Sequence, residues 1–355
     1  MGSDIYRQLQ ERLDGYSVGF PATESGVEIE ILKRLFTPGE AELFLSLSPA
    51  VETPEAIAAR LGRGSEETAE QLEDMASRGL LFRLRKNDAV KYGATAFIHG
   101  IFEFQLPRMD AGLAELMMRY FDEGLDRALI SVRGAFLRTI PVSQSVSPEL
   151  RVASLDDAAA IIRGTDKIVV TDCVCRKAKE MTGGSCGAPL EVCFMFGSMG
   201  QFYLDNGMGR LVSADEAIDI VARAQKAGLV TQPSTSTNPN GMCNCCGDCC
   251  GVLASIKKDP RPADLVFSNH FSEVDAESCI ACGDCVDSCP MDAIVMSDEG
   301  PAVIREERCI GCGVCVTRCP VGAIALREKP ADKRRDLPKN AVEQMTLMLR
   351  ERGRL

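Results

Sequence analysis

The chain contains no tryptophan, two histidines and only 5% aromatic residues in 355. So few imidazoles argue against haem ligation or a histidine-rich zinc site. His99 lies in the apolar run Phe97-Ile-His99-Gly-Ile-Phe102 and reads as a packed residue rather than a ligand. No stretch approaches the roughly 20 apolar residues that span a bilayer, so no membrane span is expected. The first residues, Met1 to Tyr6, lack a basic and apolar leader pattern, and the expected location is cytoplasmic. No G-x-G-x-x-G follows a strand, no P-loop is present, and no flavin site is visible. A basic surface is also missing. The net charge of −11 argues against general nucleic-acid affinity, which needs cations facing phosphates.

What the chain has is cysteine, 17 in all. Without a secretory pattern, reduced thiols at this density point to metal rather than disulfides, and to a cell living with little oxygen. Eight of them fall between Cys279 and Pro320 in two copies of one spacing. The first copy is Cys279-Ile-Ala-Cys282-Gly-Asp-Cys285-Val-Asp-Ser-Cys289-Pro290. The second is Cys309-Ile-Gly-Cys312-Gly-Val-Cys315-Val-Thr-Arg-Cys319-Pro320. Three thiolates two residues apart wrap one face of a cubane if the backbone coils tightly, which Gly283, Gly311 and Gly313 permit. A pair of zinc sites or a disulfide framework explains the duplicated C-x2-C-x2-C-x3-C-P register poorly.

This segment resembles the two-cluster bacterial ferredoxins. The resemblance implies one 4Fe–4S cluster on Cys279, Cys282, Cys285 and Cys319, and a second on Cys309, Cys312, Cys315 and Cys289. It also implies a first strand at Phe271 to Val274 pairing with Ala323 to Leu326, and a central hairpin of Ile294 to Met296 with Ala302 to Ile304. Asp284, Asp287, Asp292, Asp298 and Glu299 give its first half an acidic face, either a steering surface for a basic partner or simply a solvated one.

The middle of the chain holds nine more cysteines. A β-branched strand from Lys167 to Thr171 runs into Cys173 and Cys175, and Cys186 and Cys193 follow within a glycine-bearing stretch. Those four suffice for a third cluster, with Arg176 and Lys177 offsetting its charge. A zinc knuckle or free thiols are the alternatives. A capped helix from Ser213 leads through Gly228 to a strand at Leu229 to Thr231. The polar loop Gln232 to Gly241, expected to be exposed, then meets Cys243, Cys245, Cys246, Cys249 and Cys250. Five thiols in eight residues have no core periodicity. They suggest a fourth cluster or ligands shared with the first group; exchanging disulfides are the alternative. Both loops would reach one sheet edge if the strands ending at Thr171 and Thr231 pair.

Thr23 to Tyr92 reads as helix, helix, turn, helix and hairpin, which resembles a winged helix-turn-helix. The helix expected from Ser65 to Arg78 is crowded by Glu66, Glu67, Glu70, Glu73 and Asp74, so a structural or docking role is favoured over DNA reading. The expected architecture is α+β and multidomain. It comprises a winged-helix-like domain (1–95), a helical connector (96–150), a cysteine-rich α/β domain (151–262), a bacterial ferredoxin-like domain (263–328), and a basic, mobile tail with a terminal helix (329–355). That helix would pack on the body or on a twin chain. The combination looks similar to multi-cluster ferredoxin-family proteins of anaerobes. It is expected to be an electron-transfer protein, or a subunit of a larger oxidoreductase, serving protein redox partners. It would carry two 4Fe–4S clusters and one or two more. A reductase with an open or thiol-reactive middle site is the alternative, and a redox-sensing regulator a second.

Overall fold

The computed structural model describes residues 4–87, 89–146, 154–298 and 300–355. Asp88 of the expected hairpin turn, Glu299 of the acidic face and the expected boundary at 150 and 151 lie outside them.

The N-terminal part is built from α1 (Ile5–Asp14), α2 (Val27–Leu35), α3 (Pro38–Ser46), α4 (Pro54–Leu61) and α5 (Ser65–Ser77), followed by the hairpin β1 (Phe82–Lys86) and β2 (Ala89–Gly93). Local chemistry sets these limits. Thr37 and Glu40 form a reciprocal capping box at the start of α3, with Pro38 in its first turn. Gly62 ends α4 in the left-handed conformation, at φ 64°. One apolar core runs from Leu9 through Phe20, Leu72, Phe97 and Tyr120 to Leu137, so the helices after the hairpin belong to the same core.

The hairpin does not stand free. Arg83, 2% exposed, pairs with Glu73 of α5 at 2.5 Å and with Asp205 of the helix Gly197–Asp205 at 3.6 Å. Phe82 meets Phe202 of that helix, ring centroids 5.4 Å apart. The cations a DNA-reading wing would present are thus partly spent on holding the hairpin to the middle of the molecule.

The middle contains a five-stranded antiparallel sheet of β3 (Ile168–Asp172), β4 (Glu191–Phe196), β5 (Arg210–Leu211), β6 (Val230–Pro233) and β7 (Gly241–Cys245), in the order β5-β3-β4-β7-β6. The strands ending near Thr171 and Thr231 therefore do not pair; β4 and β7 lie between them. The cysteines converge all the same. Alternating strand directions put the end of β3, the start of β4 and the end of β7 at one edge, where Thr171 faces Cys193 and Phe194 faces Met242.

The loop after β6 also differs from its expected exposure: Ser234, Thr235 and Ser236 are buried. The reason is Arg138, itself 1% exposed, whose guanidinium donates to the carbonyls of Ser234 and Ser236 at 2.5 and 2.9 Å. Polar backbone is tolerated inside because each carbonyl finds a donor.

The C-terminal unit carries β8 (His270–Val274), β9 (Ile294–Met296), β10 (Ala302–Ile304) and β11 (Ile324–Glu328). β8 pairs with β11 in the register Val274 to Ile324, and β9 pairs with β10. A strap from Leu137 to Ser145 ties this unit to the sheet. Ile140 bridges Thr231, the Thr139 amide donates to the Phe267 carbonyl at 3.0 Å, and the Val142 amide donates to that of Cys312 at 2.9 Å.

The tail, expected to be mobile, is held down. The Lys329 amide donates to the Asn269 carbonyl at 2.7 Å, and the Arg335 guanidinium lies 4.9 Å over the Phe267 ring. The terminal helix Ala341–Glu351 buries Met348 in the N-terminal core and leaves Val342 exposed, so its packing face is turned onto the body.

Candidate metal centres

In the C-terminal unit the two cysteine runs exchange their last members. Cys279, Cys282, Cys285 and Cys319 line one cavity of about 10 Å³, and Cys289, Cys309, Cys312 and Cys315 line another of about 20 Å³. The exchange follows from the chain path. Each run ends in a short helix, Asp284–Asp287 or Val314–Arg318, that carries its fourth cysteine away from the first three. The halves match in detail: the Ala293 amide donates to Cys289 Sγ at 3.3 Å and the Ala323 amide to Cys319 Sγ at 3.1 Å. Gly311 sits at φ 68° with its α-carbon against the His270 carbonyl, and a side chain there would overlap that oxygen. Burial pushes the Cys285, Cys289 and Cys312 thiols up, and that of Cys315 to about 12, so these groups stay protonated unless a cation replaces the proton.

Residues 272–326 match the family model of a 4Fe-4S dicluster domain. The protein carries two 4Fe–4S clusters. No curated protein and no solved structure matches the chain. The cysteine exchange and the sulfur-directed amides are what a pair of cubanes requires of its protein, so the residues of the dicluster domain fit the group.

The nine middle cysteines divide in a way their order in the chain conceals. Cys173, Cys175, Cys193, Cys243, Cys245 and Cys250 line a single cavity of about 70 Å³, larger than either in the dicluster domain. Cys173 is the N-cap of the helix Val174–Met181 and Cys250 that of Gly251–Lys257; Cys243 and Cys245 share one face of β7 by strand alternation. Cys186, expected to group with Cys173, Cys175 and Cys193, instead joins Cys246 and Cys249, and their three sulfurs all lie within 4.8 Å of one another. The vicinal pairs are split: Cys245 and Cys250 face the cavity, Cys246 and Cys249 the triad.

The six-thiol set behaves as one electrostatic unit. Hydrogen bonds from Cys175 and Cys193 hold the Cys173 thiol well below its ordinary range against the cost of burial, and Cys243 and Cys250 do the same for Cys245. Their donors Cys175, Cys193 and Cys250 are pushed up in turn. Four of the six are buried and two half-buried, so all six could be thiolates together only with metal cations between them. Arg176, 3% exposed, lies between the two sets. Burial works against its charge, but Cys173 and Cys246 outweigh it and raise its pKa. It donates to the carbonyls of Pro189 and Asn244, each at 2.6 Å, while its Nε has no hydrogen-bond partner among the described residues. A buried cationic donor left open beside clustered thiols fits an anionic metal–thiolate group.

Three further groups line the cavity wall: His99 and Glu103 from far back in the chain, and Tyr203 from the helix Gly197–Asp205 that follows β4. His99, at φ 59°, stacks edge-on against Phe136 at 5.6 Å, and burial lowers its pKa to about 4. Burial raises that of Glu103 to about 7. Sequence reasoning treated His99 as packing and passed over the other two. The one available signal was a histidine in an apolar run four residues before a carboxylate.

Proposed function

We propose that this protein is an iron–sulfur electron-transfer protein, or the electron-transfer subunit of an oxidoreductase. It would pass low-potential single electrons between protein redox partners. Its cluster ligands in the dicluster domain would be Cys279, Cys282, Cys285 and Cys319 for one centre and Cys289, Cys309, Cys312 and Cys315 for the other. A further iron–sulfur centre would occupy the six-thiol cavity. Clusters bound by cysteine throughout supply one-electron chemistry at low potential when present.

The observation that carries this reading is a shared core. Cys245 and Cys250 of the six-thiol set pack with Cys309 and Cys312 in one apolar cluster, with Cys243 and Cys289 at its border. A second apolar cluster joins Cys315 and Cys285, with Cys289, Cys279 and Cys319 beside them. The three thiol groups thus form a line through water-excluding packing, which keeps the effective dielectric low along it.

The line has one buried end and one open end. Cys282 is exposed and its neighbour Ile280 is 60% exposed, whereas Cys173, Cys193, Cys245 and Cys250 at the opposite end are buried. The Ile280 end, flanked by Asp284 and Asp287, suits docking of a partner with a complementary basic rim.

Iron and acid-labile sulfide per chain after anaerobic purification test the proposal, with electron paramagnetic resonance of the reduced protein. Two cubanes account for eight irons, so roughly twelve or more supports a centre in the six-thiol cavity. A count of eight sinks the extended line. Cys175→Ser should remove only the additional iron, and Cys282→Ser only part of the dicluster iron.

A reductase reading is favoured by one feature, the placement of His99, Glu103 and Tyr203 on the wall of the six-thiol cavity. Retention of a small molecule by the purified protein, lost in Glu103→Gln with the iron count unchanged, would support it.

A further inference from the structure

We infer that Cys186, Cys246 and Cys249 form a separate site for a single zinc ion, with its fourth coordination position open to an exogenous thiolate or water. Spacing separates this triad from every other cysteine group in the protein. Among the described residues, it is the one set of three or more Cys, His, Asp or Glu donors whose ligand atoms all lie within 4.8 Å of one another. No three sulfurs of the six-thiol set, or of either quartet in the dicluster domain, meet that criterion. The quartets provide an internal scale, because a cubane places four irons between its ligands and holds the sulfurs apart. One tetrahedral ion with metal–sulfur bonds of about 2.3 Å holds its sulfurs roughly 3.8 Å apart. The triad has the spacing of an ion, not of a cluster.

The local chain supports the same assignment. Cys246-Gly247-Asp248-Cys249 is a C-x2-C turn, a common zinc-ligand spacing, and the Cys249 amide donates to Cys246 Sγ at 3.3 Å. Gly247 lets the turn lie against Pro290: a side chain there would come within 3.1 Å of the Pro290 carbonyl. Three thiolates on a divalent ion leave one net negative charge, and Arg176 beside Cys246 offsets it. Soft thiolate donors favour zinc over the hard divalent ions.

Among the described residues, no fourth Cys, His, Asp or Glu joins the triad. Cys186 and Cys246 instead border a groove of about 890 Å³, which Asp248, Arg318, Cys289 and Pro290 also line. Zinc held by three protein ligands and reachable from a groove is the arrangement of sites that exchange their fourth ligand. The groove reaches Cys289, so a ligand on the zinc would sit next to the dicluster domain.

The test is metal analysis and zinc K-edge X-ray absorption on the full chain, purified anaerobically without thiol reductants. The expected result is about one zinc per chain with three sulfurs and one lighter ligand, rising to four sulfurs when 2-mercaptoethanol is added. Cys186→Ser should lower bound zinc at least tenfold and leave the iron content and the iron–sulfur signals unchanged. Absence of zinc from the wild type would overturn the assignment, as would four sulfurs before any thiol is added, or a sulfur count that stays at three with thiol present. Loss of iron rather than zinc from Cys186→Ser would make the triad a cluster site. The wild-type spectrum decides even if the variant fails to fold, and neither arm depends on whether the six-thiol cavity binds iron.

Discussion

Replacing Arg176 by methionine removes the one buried cation between the two middle thiol sets while keeping the volume of the side chain. Two effects follow, and they are separable. The guanidinium donates to the Pro189 and Asn244 carbonyls at 2.6 Å. Charge-assisted hydrogen bonds of this kind contribute roughly 1.5–3 kcal/mol each, so the variant should lose about 3 kcal/mol or more of folding stability. The second effect is on the redox centre proposed for the six-thiol cavity. A unit charge about 5 Å away in an effective dielectric of about 20 contributes roughly 3 kcal/mol. At about 59 mV per 1.4 kcal/mol for one electron, that corresponds to somewhat more than 100 mV. Because a nearby cation favours the added electron, Arg176→Met should lower the potential of the middle centre by on the order of 100 mV. The dicluster potentials should hold. Arg176→Lys keeps the charge but not the two-pronged donation, so it should lose stability while retaining most of the potential. The assay is a redox titration followed by electron paramagnetic resonance, with urea unfolding in parallel. Equal potentials in the wild type and the methionine variant, or a shift confined to the dicluster signals, would refute the placement of Arg176 as counter-charge to the middle centre.

Gly311→Ala should disrupt the centre nearest the sheet, since the new methyl group overlaps the His270 carbonyl and the backbone sits at φ 68°. A cost of about 2–3 kcal/mol is expected, with loss of dicluster iron, measured by urea unfolding and iron content. Glu103 has its carboxyl raised from 4.5 to about 7 by burial. The folded state therefore binds its proton more tightly than the unfolded state does, and its contribution to stability falls as pH rises from about 4.5 to 7. Between pH 6 and 7 the wild type should lose about 1 kcal/mol more stability than Glu103→Gln; equal slopes in urea unfolding would show that the carboxyl is not buried as described. Arg83→Met should cost about 1–2 kcal/mol, since Glu73 and Asp205 lose their buried partner but keep Arg85. If thermal unfolding shows no change, the hairpin is not held to the middle of the molecule by that pair.

How far the sequence revealed these sites depended on whether the ligands of a site are close together in the chain. In the dicluster domain each run is short, duplicated and ended by proline, so the spacing points to the chemistry, and the exchange of Cys289 and Cys319 is what the resemblance to two-cluster ferredoxins implies. The middle sites are assembled by a sheet whose strand order is not the chain order. Pairing of β3 with β6 would bring both cysteine loops to one edge, but β4 and β7 intervene, and this interposition places Cys193 and Cys245 at the same edge. Cys186 was grouped with its sequence neighbours because nothing local indicates that its loop leaves them for the Cys246 turn. The burial of Ser234 to Ser236 was hidden for a related reason: Arg138, which makes it tolerable, lies almost a hundred residues away.

The vicinal pairs carried more information than their composition suggests. Adjacent side chains on extended backbone point to opposite faces, so Cys245-Cys246 divides between two sites wherever β7 ends at a sheet edge. The following C-x2-C turn returns Cys249 to the side of Cys246, and Cys250, one residue further, crosses back to the cavity as the cap of its helix. A stretch of five cysteines is then economical rather than redundant: one β-strand end and one turn supply thiols to two groups on opposite sides of the same backbone. The nearness of those sites follows from this construction. It also accounts for why a single buried arginine can serve both, and why the dicluster domain meets one set through its apolar core and the other across an open groove.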